Sequence, residues 1–313
     1  MIRQFLILAS LVFAANVHSA QAVEPLVDVA WVKDNHDNPS VVVLDLRTDR
    51  EYRSVHIPGA VHAAYPYGGW RVVGRDRLFR LPTPQQFEKF VGKLGISNQS
   101  HVILVSRSET VSTTAVAAQA YWSFKVMGHD AVSILNGGMR AYFRDINSSR
   151  SRGTPSRPAQ SFTAKFRPHL VANADHIRAM LERKRGTVID FRTYGVFSGV
   201  NKEFRVDRYG TIPGAKHMSF AWLTVDAGGI IRKPEEIKRI FDYAGIMLNG
   251  PVIAFSDQSL LGALGWFAVS ELLGHKDVRL YDSGFRDWAL DADNPIERHF
   301  NPDKINIHNG SNK

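Results

Sequence analysis

An internal repeat constrains this chain more than any other feature, because it divides the 313 residues into two similar halves. Four stretches of the first half recur in the same order in the second. The matching pairs are residues 41–47 with 187–192, 57–60 with 212–215, 125–130 with 271–276, and 134–138 with 280–284. Four ordered matches exceed chance similarity, so the two halves derive from one domain. The chain length also fits two domains of ordinary size.

Each half alternates predicted strands with predicted helices. Continuous apolar runs at 41–44, 101–105, 188–189 and 252–255 predict strands that are buried on both faces of a parallel sheet. The dipeptides Thr83-Pro84 and Lys233-Pro234 precede apolar residues at helical spacing, which predicts helix starts there. We therefore expect an α/β fold with two tandem domains, each an open, mostly parallel sheet with helices on both faces.

The N-terminal residues have the pattern of a secretory signal. Arg3 precedes an apolar run at 5–15, and Ala20-Gln21-Ala22 offers a cleavage site of the small-x-small type. The apolar run is shorter than the roughly 20 residues of a spanning helix. An uncleaved membrane anchor is the alternative interpretation. We expect a periplasmic or secreted protein with no membrane span after signal removal.

The sequence divides into five segments at changes in composition. Residues 147–165 are rich in Ser, Arg and Pro and lack an apolar period, which is typical of a linker. The predicted segments are a signal peptide at 1–22, a first domain at 23–146, the linker at 147–165, a second domain at 166–300, and a polar tail at 301–313.

The chain is basic, with a formal net charge of +9, and part of the excess lies in residues 144–167. A basic protein attracts anions, acidic proteins or membrane surfaces. A solvated linker is the simpler interpretation of this stretch, and a module that binds an acidic partner is the alternative. Nucleic acid is not an expected partner, because an exported chain without a binding motif gives no reason for it.

The chain contains no cysteine. Disulfides, thiol nucleophiles and thiolate metal sites are therefore excluded. The His residues are scattered without metal-ligand spacing, and the Gly68-Gly69 and Gly228-Gly229 pairs match no dinucleotide or phosphate fingerprint. We expect no metal and no cofactor.

Several motifs, each present twice, closely resemble those of the rhodanese family. In the first half they consist of Asp45, Arg47, Glu51, Tyr52 and residues 56–60. In the second half they consist of Asp190, Arg192, Arg208, Gly210 and residues 212–215. A shared ending follows at 272–282, with Gly284 and Trp288 after it. The resemblance extends over nearly all of residues 26–298.

Similarity to tandem rhodaneses implies a mechanism of sulfur transfer. In that family a cysteine follows a strand of the second domain and begins a six-residue loop before a helix. Backbone N–H groups of the loop stabilise a thiolate and then a persulfide. Sulfur moves from thiosulfate or 3-mercaptopyruvate to a thiol or cyanide.

Serine occupies the cysteine position in this chain. The candidate ligand-binding loop consists of Ser256, Asp257, Gln258, Ser259, Leu260 and Leu261. The resemblance makes Asp190, Arg192 and Arg208 its supporting residues. A serine hydroxyl is not ionised near neutral pH and cannot form a transferable persulfide, whereas a free cysteine has a pKa of about 8.5 that proteins lower further.

Further departures accompany Ser256. Asp257 places a negative charge in a loop that holds an anion in relatives, Val196 precedes Phe197 where many relatives have Arg or Lys, and Thr211 replaces a His. The first half offers no substitute, since its loop beginning near Ser106 also lacks cysteine.

Three functions remain open from the sequence. The leading hypothesis is a non-catalytic, exported rhodanese-like protein that binds a periplasmic protein or a small anionic ligand. The alternative is a sulfurtransferase that works with an external thiol, and the third is an interaction module that uses the basic linker. Serine hydrolysis lacks an identifiable base, because His217 and His275 both have better structural interpretations.

Other polar and aromatic residues are expected to be structural. His56 and His62 should bond neighbouring backbone, and Asp45 and Asp190 should each hold a nearby arginine or loop amide. Core or interface packing is expected for five tryptophans, namely Trp70, Trp122, Trp222, Trp266 and Trp288.

Overall fold

The computed structural model of the protein describes residues 23–76 and 78–300. The predicted signal peptide and polar tail lie outside the described residues. Within the described ranges, no helix combines the length and the apolarity that crossing a membrane requires.

The first half forms a five-stranded parallel sheet with the strand order β1-β7-β6-β2-β3 and a separate two-stranded ribbon of β4 and β5. Its strands are β1 (Leu26–Val27), β2 (Val41–Asp45), β3 (Val61–His62), β4 (Val72–Val73), β5 (Phe79–Arg80), β6 (His101–Val105) and β7 (Val132–Leu135). Its helices are α1 (Val29–Asn35), α2 (Asp49–Ser54), α3 (Pro84–Lys93), α4 (Val111–Val126) and α5 (Gly138–Arg144).

The second half repeats this topology, with the strand order β8-β14-β13-β9-β10 and a ribbon of β11 and β12. Its strands are β8 (Val171–Ala172), β9 (Thr187–Asp190), β10 (Lys216–His217), β11 (Thr224–Val225), β12 (Ile230–Ile231), β13 (Val252–Phe255) and β14 (Val278–Tyr281). Its helices are α6 (Ala174–Arg183), α7 (Tyr194–Phe197), α8 (Pro234–Tyr243), α9 (Leu260–Phe267) and α10 (Gly284–Leu290). Short 3₁₀ turns lie at Pro168–Leu170 and Phe220–Leu223, and one π turn at Ala268–Leu272 follows α9.

The predicted α/β class with two tandem domains is confirmed. The predicted central strands lie where expected, and β2, β6 and β13 are buried along most or all of their length. The predicted helix starts are also correct, because α3 and α8 begin at Pro84 and Pro234, where a missing N–H costs nothing. Parallel pairing brings the carboxyl ends of the central strands of each sheet to one edge.

The two domains share a core where α4 packs against α9. The Tyr121 ring meets Phe267 edge-on at 4.9 Å, and its hydroxyl donates to Glu271 at 2.8 Å. One continuous apolar cluster contains Trp122 from the first half and Trp266 from the second. The helices that follow the central strands of both repeats therefore lie against each other, which brings the two strand-end loops toward one interface.

Four of the five tryptophans predicted to be packed are buried, namely Trp70, Trp122, Trp266 and Trp288. The prediction is wrong for Trp222, which is 40% exposed. This residue lies in the 3₁₀ turn at Phe220–Leu223, and the centroid of its ring is 6.2 Å from that of the exposed Tyr243 ring.

The segment between the domains is attached to the first domain. The Arg157 guanidinium donates to the carbonyl oxygens of Pro39 and Val41, and Phe162 is buried against Phe87. The backbone of Gln160 also donates to the Gly92 carbonyl at 2.9 Å. These contacts fix the course of the segment, although Arg150 and Arg152 on it remain exposed.

Candidate functional site

Ser256 lies at the carboxyl end of β13, the middle strand of the second sheet. Ser256 is buried, with 2% of its surface exposed. The loop between β13 and α9 comprises residues 256–259, because α9 begins at Leu260. The structure thus places Leu260 and Leu261 in the first turn of the helix rather than in the loop. A strand-end loop that leads into a helix N-terminus is the usual ligand position in open α/β sheets.

A backbone amide of α9 points at the Ser256 side chain. The Gly262 N–H donates to Ser256 Oγ at 3.0 Å. This close approach needs glycine, since a Cβ at position 262 would lie 2.9 Å from the Phe255 carbonyl carbon and 3.0 Å from the Ser256 nitrogen. An amide donor is therefore directed at the Ser256 hydroxyl, the group that the sequence resemblance aligns with the family's cysteine.

Helix α10 holds the loop from the other side. The Ser256 and Asp257 carbonyl oxygens accept N–H groups of Phe285 and Arg286 at 2.8 and 3.1 Å. Gly284 permits this contact, since its φ is +71° and a Cβ there would lie only 2.5 Å from the Ser256 oxygen. Contacts from two helix N-termini leave the loop little freedom.

Asp257 is neutralised by Arg192, which also binds Asp190. The guanidinium donates to Asp190 at 2.6 to 3.0 Å and to Asp257 Oδ1 at 3.0 Å, and it lies 4.1 Å above the Phe285 ring. Burial raises the pKa of Asp257 to about 6, although Arg192 acts in the opposite direction. The negative charge that the sequence places in the loop is thus paired, and it is removed by mild acid.

The first domain contains the same strand-end pair without the third member. Arg47 binds Asp45 at 2.6 to 3.2 Å and donates to the Val55 carbonyl, as Arg192 donates to that of Gly210. The prediction that each aspartate holds a nearby arginine is confirmed. The residue after Ser106 is Arg107, which pairs with Glu51 on α2 instead of approaching Arg47.

The hydrogen bonds of Arg208, which the resemblance makes a supporting residue, lead away from the loop. Its guanidinium donates to the carbonyl oxygens of Asp291 and Asn294, beyond α10. No hydrogen bond among the described residues joins Arg208 to residues 256–259. Val196 is buried in α7, and the Thr211 hydroxyl donates to Asp190 at 2.7 Å. Thr211 therefore contributes a hydrogen bond to the aspartate that holds Arg192.

The histidines have structural partners. The His56 and His62 rings bond the carbonyl oxygens of Tyr52 and Arg47, which confirms their predicted structural role. His217 bonds the Arg192 carbonyl and His275 that of Gly250. Within the described chain, Ser256 Oγ has no histidine or carboxylate as a hydrogen-bond partner, so a serine hydrolase geometry is not assembled here. No group of three or more His, Asp or Glu in that part of the chain forms a set of metal ligands.

A polar network joins the loop to the first domain. Ser259 Oγ donates to Asp282 Oδ1 at 3.2 Å and accepts from Gln119 Nε2, whose amide oxygen accepts the Tyr65 hydroxyl. Asp282 in turn binds Arg71 at 2.5 Å. Ser259 adopts a left-handed backbone conformation with φ of +63°, which is uncommon for a residue with a side chain. The network keeps the end of the loop in place across the domain interface.

A cavity of about 340 Å³ lies beside this network. It is lined mostly by apolar atoms of both domains, together with Arg71, Gln119 and Gln258. Among the described residues, Arg71 Nε and Nη1 have no hydrogen-bond acceptor, although the side chain is buried. Pockets of this size and type, mainly apolar with few polar groups, commonly take small molecules.

Sequence reasoning missed the first-domain half of this cavity. Asp282 belongs to a repeated motif, but Tyr65, Arg71 and Gln119 lie in no repeated stretch. These residues are far from Ser259 along the chain, so no spacing in the sequence connects them with it. The repeat was the one available signal, because two similar domains that pack through equivalent helices bring their strand-end loops to one interface.

Comparisons with known proteins confirm the resemblance over both halves. The family model described as the rhodanese-like domain matches residues 28–145 and 173–291. The chain is 31% identical over 286 residues to the 3-mercaptopyruvate sulfurtransferase of Rattus norvegicus, covering 89% of this chain and 90% of the relative. It is 29% identical to thiosulfate/3-mercaptopyruvate sulfurtransferase 1, mitochondrial, of Arabidopsis thaliana, covering 90% of this chain and 80% of the relative.

A solved structure shares the architecture. SseA of Escherichia coli, whose structure is described with the rhodanese fold and catalytic mechanism of 3-mercaptopyruvate sulfotransferases, has a TM-score of 0.70 with this chain. The two are 25% identical, and the match covers 83% of this chain and 98% of SseA.

Proposed function

Since the chain belongs to the rhodanese-like domain family, we propose that it is an exported protein without sulfurtransferase activity that binds a small anionic ligand or a partner protein. The single observation that carries this proposal is Ser256 at the position of the family nucleophile, in a chain with no cysteine. Oxygen at this position cannot carry the sulfur between donor and acceptor.

The surroundings of Ser256 support ligand binding. The Gly262 amide is directed at the side chain, and the loop is held by α10 and by the first domain. The cavity beside it offers a buried cation, Arg71, among mostly apolar walls. A small anion with an apolar portion fits this combination, because the guanidinium has two nitrogens without an acceptor in the described chain.

Export rests on the N-terminal sequence. The apolar run at 5–15 behind Arg3, with small residues at 20 and 22, supports a cleaved signal and a periplasmic or secreted location. Fractionation of cells that express the full chain tests this part. The mature protein should appear outside the cytoplasm and start near residue 23, and an N-terminus at Met1 in the membrane fraction would favour the anchor instead.

Catalytic inactivity is tested by cyanide-dependent thiocyanate formation from thiosulfate, with the purified mature protein. We expect the rate of the blank, and turnover well above it would overturn the proposal. The same assay with glutathione or dithiothreitol tests the alternative, a sulfurtransferase that uses an external thiol, which the sulfurtransferase names of the relatives favour.

The Ser256→Cys variant is the matched control for that assay. If it gains turnover while the unchanged protein stays at the blank rate, inactivity results from the missing thiol alone. If it stays inert, the pocket has also lost its fit to thiosulfate, which agrees with Asp257 and Val196 in place of the family pattern.

A further inference from the structure

A second pocket lies at the opposite end of the second sheet from Ser256. It has a volume of about 220 Å³ and is formed where β13 and β14 begin and where α6 ends. Four basic side chains line it, namely His176, Arg183, Arg185 and Arg279. Its remaining walls are apolar and consist of Ala179, Met180, Pro251, Val252 and Ile253. No carboxylate lines this pocket.

The three arginines of this pocket are not paired with an acid in the part of the chain that the structure describes. Within the described residues, no ion pair or hydrogen bond joins the guanidinium of Arg183, Arg185 or Arg279 to another side chain. Arg178 on the same helix, by contrast, is paired with Asp175 and Asp291. Like charges around one cavity repel each other unless an anion lies between them. Burial and the nearby Arg279 also lower the pKa of His176, which agrees with a positive local potential.

The equivalent positions in the first domain carry no arginine. Trp31 occupies the position of His176, because both lie three residues after the N-cap of their helix. Ser133 occupies the position of Arg279, since both are the second residue of their strand and pair with equivalent isoleucines. The Trp31 ring packs edge-on against His101 at 5.1 Å, and His101 bonds Ser133 at 2.8 Å.

Two positions at and just after the end of α6 differ in the same way. Asn38 and Ser40 occupy the positions of Arg183 and Arg185, because the spacing from the helix N-cap to the strand-end aspartate is the same in both halves. Asn38 and Ser40 bond each other. Ser40 also lines a cavity of about 250 Å³, but the cation of that cavity, Arg157, is bound to the carbonyl oxygens of Pro39 and Val41. Among the described residues, the second copy of the fold therefore has three arginines without an ion pair at this pocket, where the equivalent residues of the first copy are Asn38, Ser40 and Ser133.

From this contrast we infer that the second domain has an additional binding site for a small organic phosphate, held by Arg183, Arg185 and Arg279 with its apolar group against Met180 and Pro251. Arginine matches phosphate because its planar donors bind two oxygens at once. The volume is sufficient, since an apolar cavity of about 150 Å³ accepts a benzene molecule. A phosphate monoester combines the two charges with an apolar group of this size.

Isothermal titration calorimetry with phenyl phosphate at constant ionic strength tests the site in the mature protein. We expect binding that the Arg279→Gln variant weakens about tenfold, since a hydrogen bond to a charged group is lost. Inorganic phosphate should bind more weakly than phenyl phosphate because it cannot use the apolar wall. The matched control is Arg152→Gln, which removes the same charge on the exposed linker and should leave the affinity unchanged.

A filling variant separates this pocket from general attraction to a basic protein. His176→Trp copies the residue of the first domain and should remove phenyl phosphate binding without a change in the circular dichroism spectrum. The inference is overturned if unchanged protein does not bind, if Arg152→Gln and Arg279→Gln weaken binding equally, or if His176→Trp binds as before. Heparin provides a further comparison. If heparin binds both the unchanged protein and His176→Trp while phenyl phosphate binds neither, anions bind the basic surface and the proposed site is overturned.

Discussion

Arg192 Nη1 donates to Asp257 Oδ1 at 3.0 Å, and this bond connects the end of β9 with the loop that follows β13. The same guanidinium is bound by Asp190, so one cation lies between two carboxylates. Burial alone would lower the pKa of Arg192, but the carboxylates outweigh it and raise that pKa. The cation therefore stays charged at every pH of interest, whereas burial raises the pKa of Asp257.

The pH dependence of stability should change in the Asp257→Asn variant. Asp257 has a pKa of about 6 in the folded protein, above the ordinary value of 3.8. The folded state thus binds the proton more tightly, so the charged form lowers stability as the pH rises from 4 through 6. We expect Asp257→Asn to be more stable than the unchanged protein at pH 8, by on the order of 2 kcal/mol.

Urea denaturation at pH 4, 6 and 8 measures this difference. At pH 4 the difference should be small, because Asp257 is protonated in the folded protein and is only about half ionised in the unfolded chain. Asp287→Asn, on the neighbouring helix, provides a comparison for a carboxylate outside the Arg192 cluster. A variant that is less stable than the unchanged protein at pH 8 would show that the Arg192 bond outweighs burial.

The interdomain ion pair should be worth far more to stability than an exposed pair. Arg71 and Asp282 are both buried, whereas Arg80 and Asp76 are about 40% exposed. Arg71→Met leaves the Asp282 charge buried without its cation, so we expect a loss of about 3 kcal/mol. Arg80→Met should cost less than about 1 kcal/mol. Chemical denaturation of both variants tests this, and equal losses would refute a special role for the buried pair.

Gly284 and Gly274 allow a test of how tightly the Ser256 loop is held. Both have φ near +72°, but only Gly284 lies against the carbonyl oxygens of residues 256 and 257. Alanine at either site has a left-handed backbone cost of about 1 kcal/mol. Gly284→Ala should cost about 2 kcal/mol more, because the loop must move. If both variants have the same melting temperature, the loop moves to accommodate the added methyl group at a lower cost in stability than its contacts indicate.

The interdomain cavity should bind small anions that a bulky residue excludes. Val116 on α4 lines the cavity and takes no part in the polar network. Val116→Trp should therefore reduce the affinity for benzoate, a small anion with an apolar portion, at least severalfold without separating the domains. Val72→Trp, on the exposed ribbon strand β4, adds the same ring elsewhere and should leave affinity unchanged. Calorimetry on both variants gives the comparison, and equal affinities would place the anion outside the cavity.

Much of the fold could be predicted from local patterns in the sequence. The apolar runs of β6 and β13, the Pro-initiated helices and the repeat together define two parallel sheets, and each follows from short-range chemistry. Ser256 could likewise be placed at a strand end. The bonds of Ser259 to Gln119 and Asp282 could not be predicted from the sequence. They depend on how the two domains meet and involve side chains that are distant in sequence.

Arg208 and Trp222 illustrate the same limit. Arg208 belongs to a motif that the resemblance connects with the site, yet it bonds carbonyl groups beyond α10. Trp222 is a large apolar residue, yet it lies in a turn at the surface. Residue type indicates what a side chain can do, and only the tertiary structure decides which of its possible partners lies within reach.

The ribbon region of each repeat donates a backbone N–H group to an equivalent side chain of the other repeat. Asn136 accepts the Ile231 N–H at 2.8 Å, and Asp282, at the matching position, accepts that of Leu81 at 3.1 Å. Each repeat thus completes the backbone bonding of the other, as subunits do across an isologous interface. The chain is in this sense a covalently joined dimer. Separately expressed halves should therefore associate with each other, and a lone half would expose a surface that only its counterpart can cover.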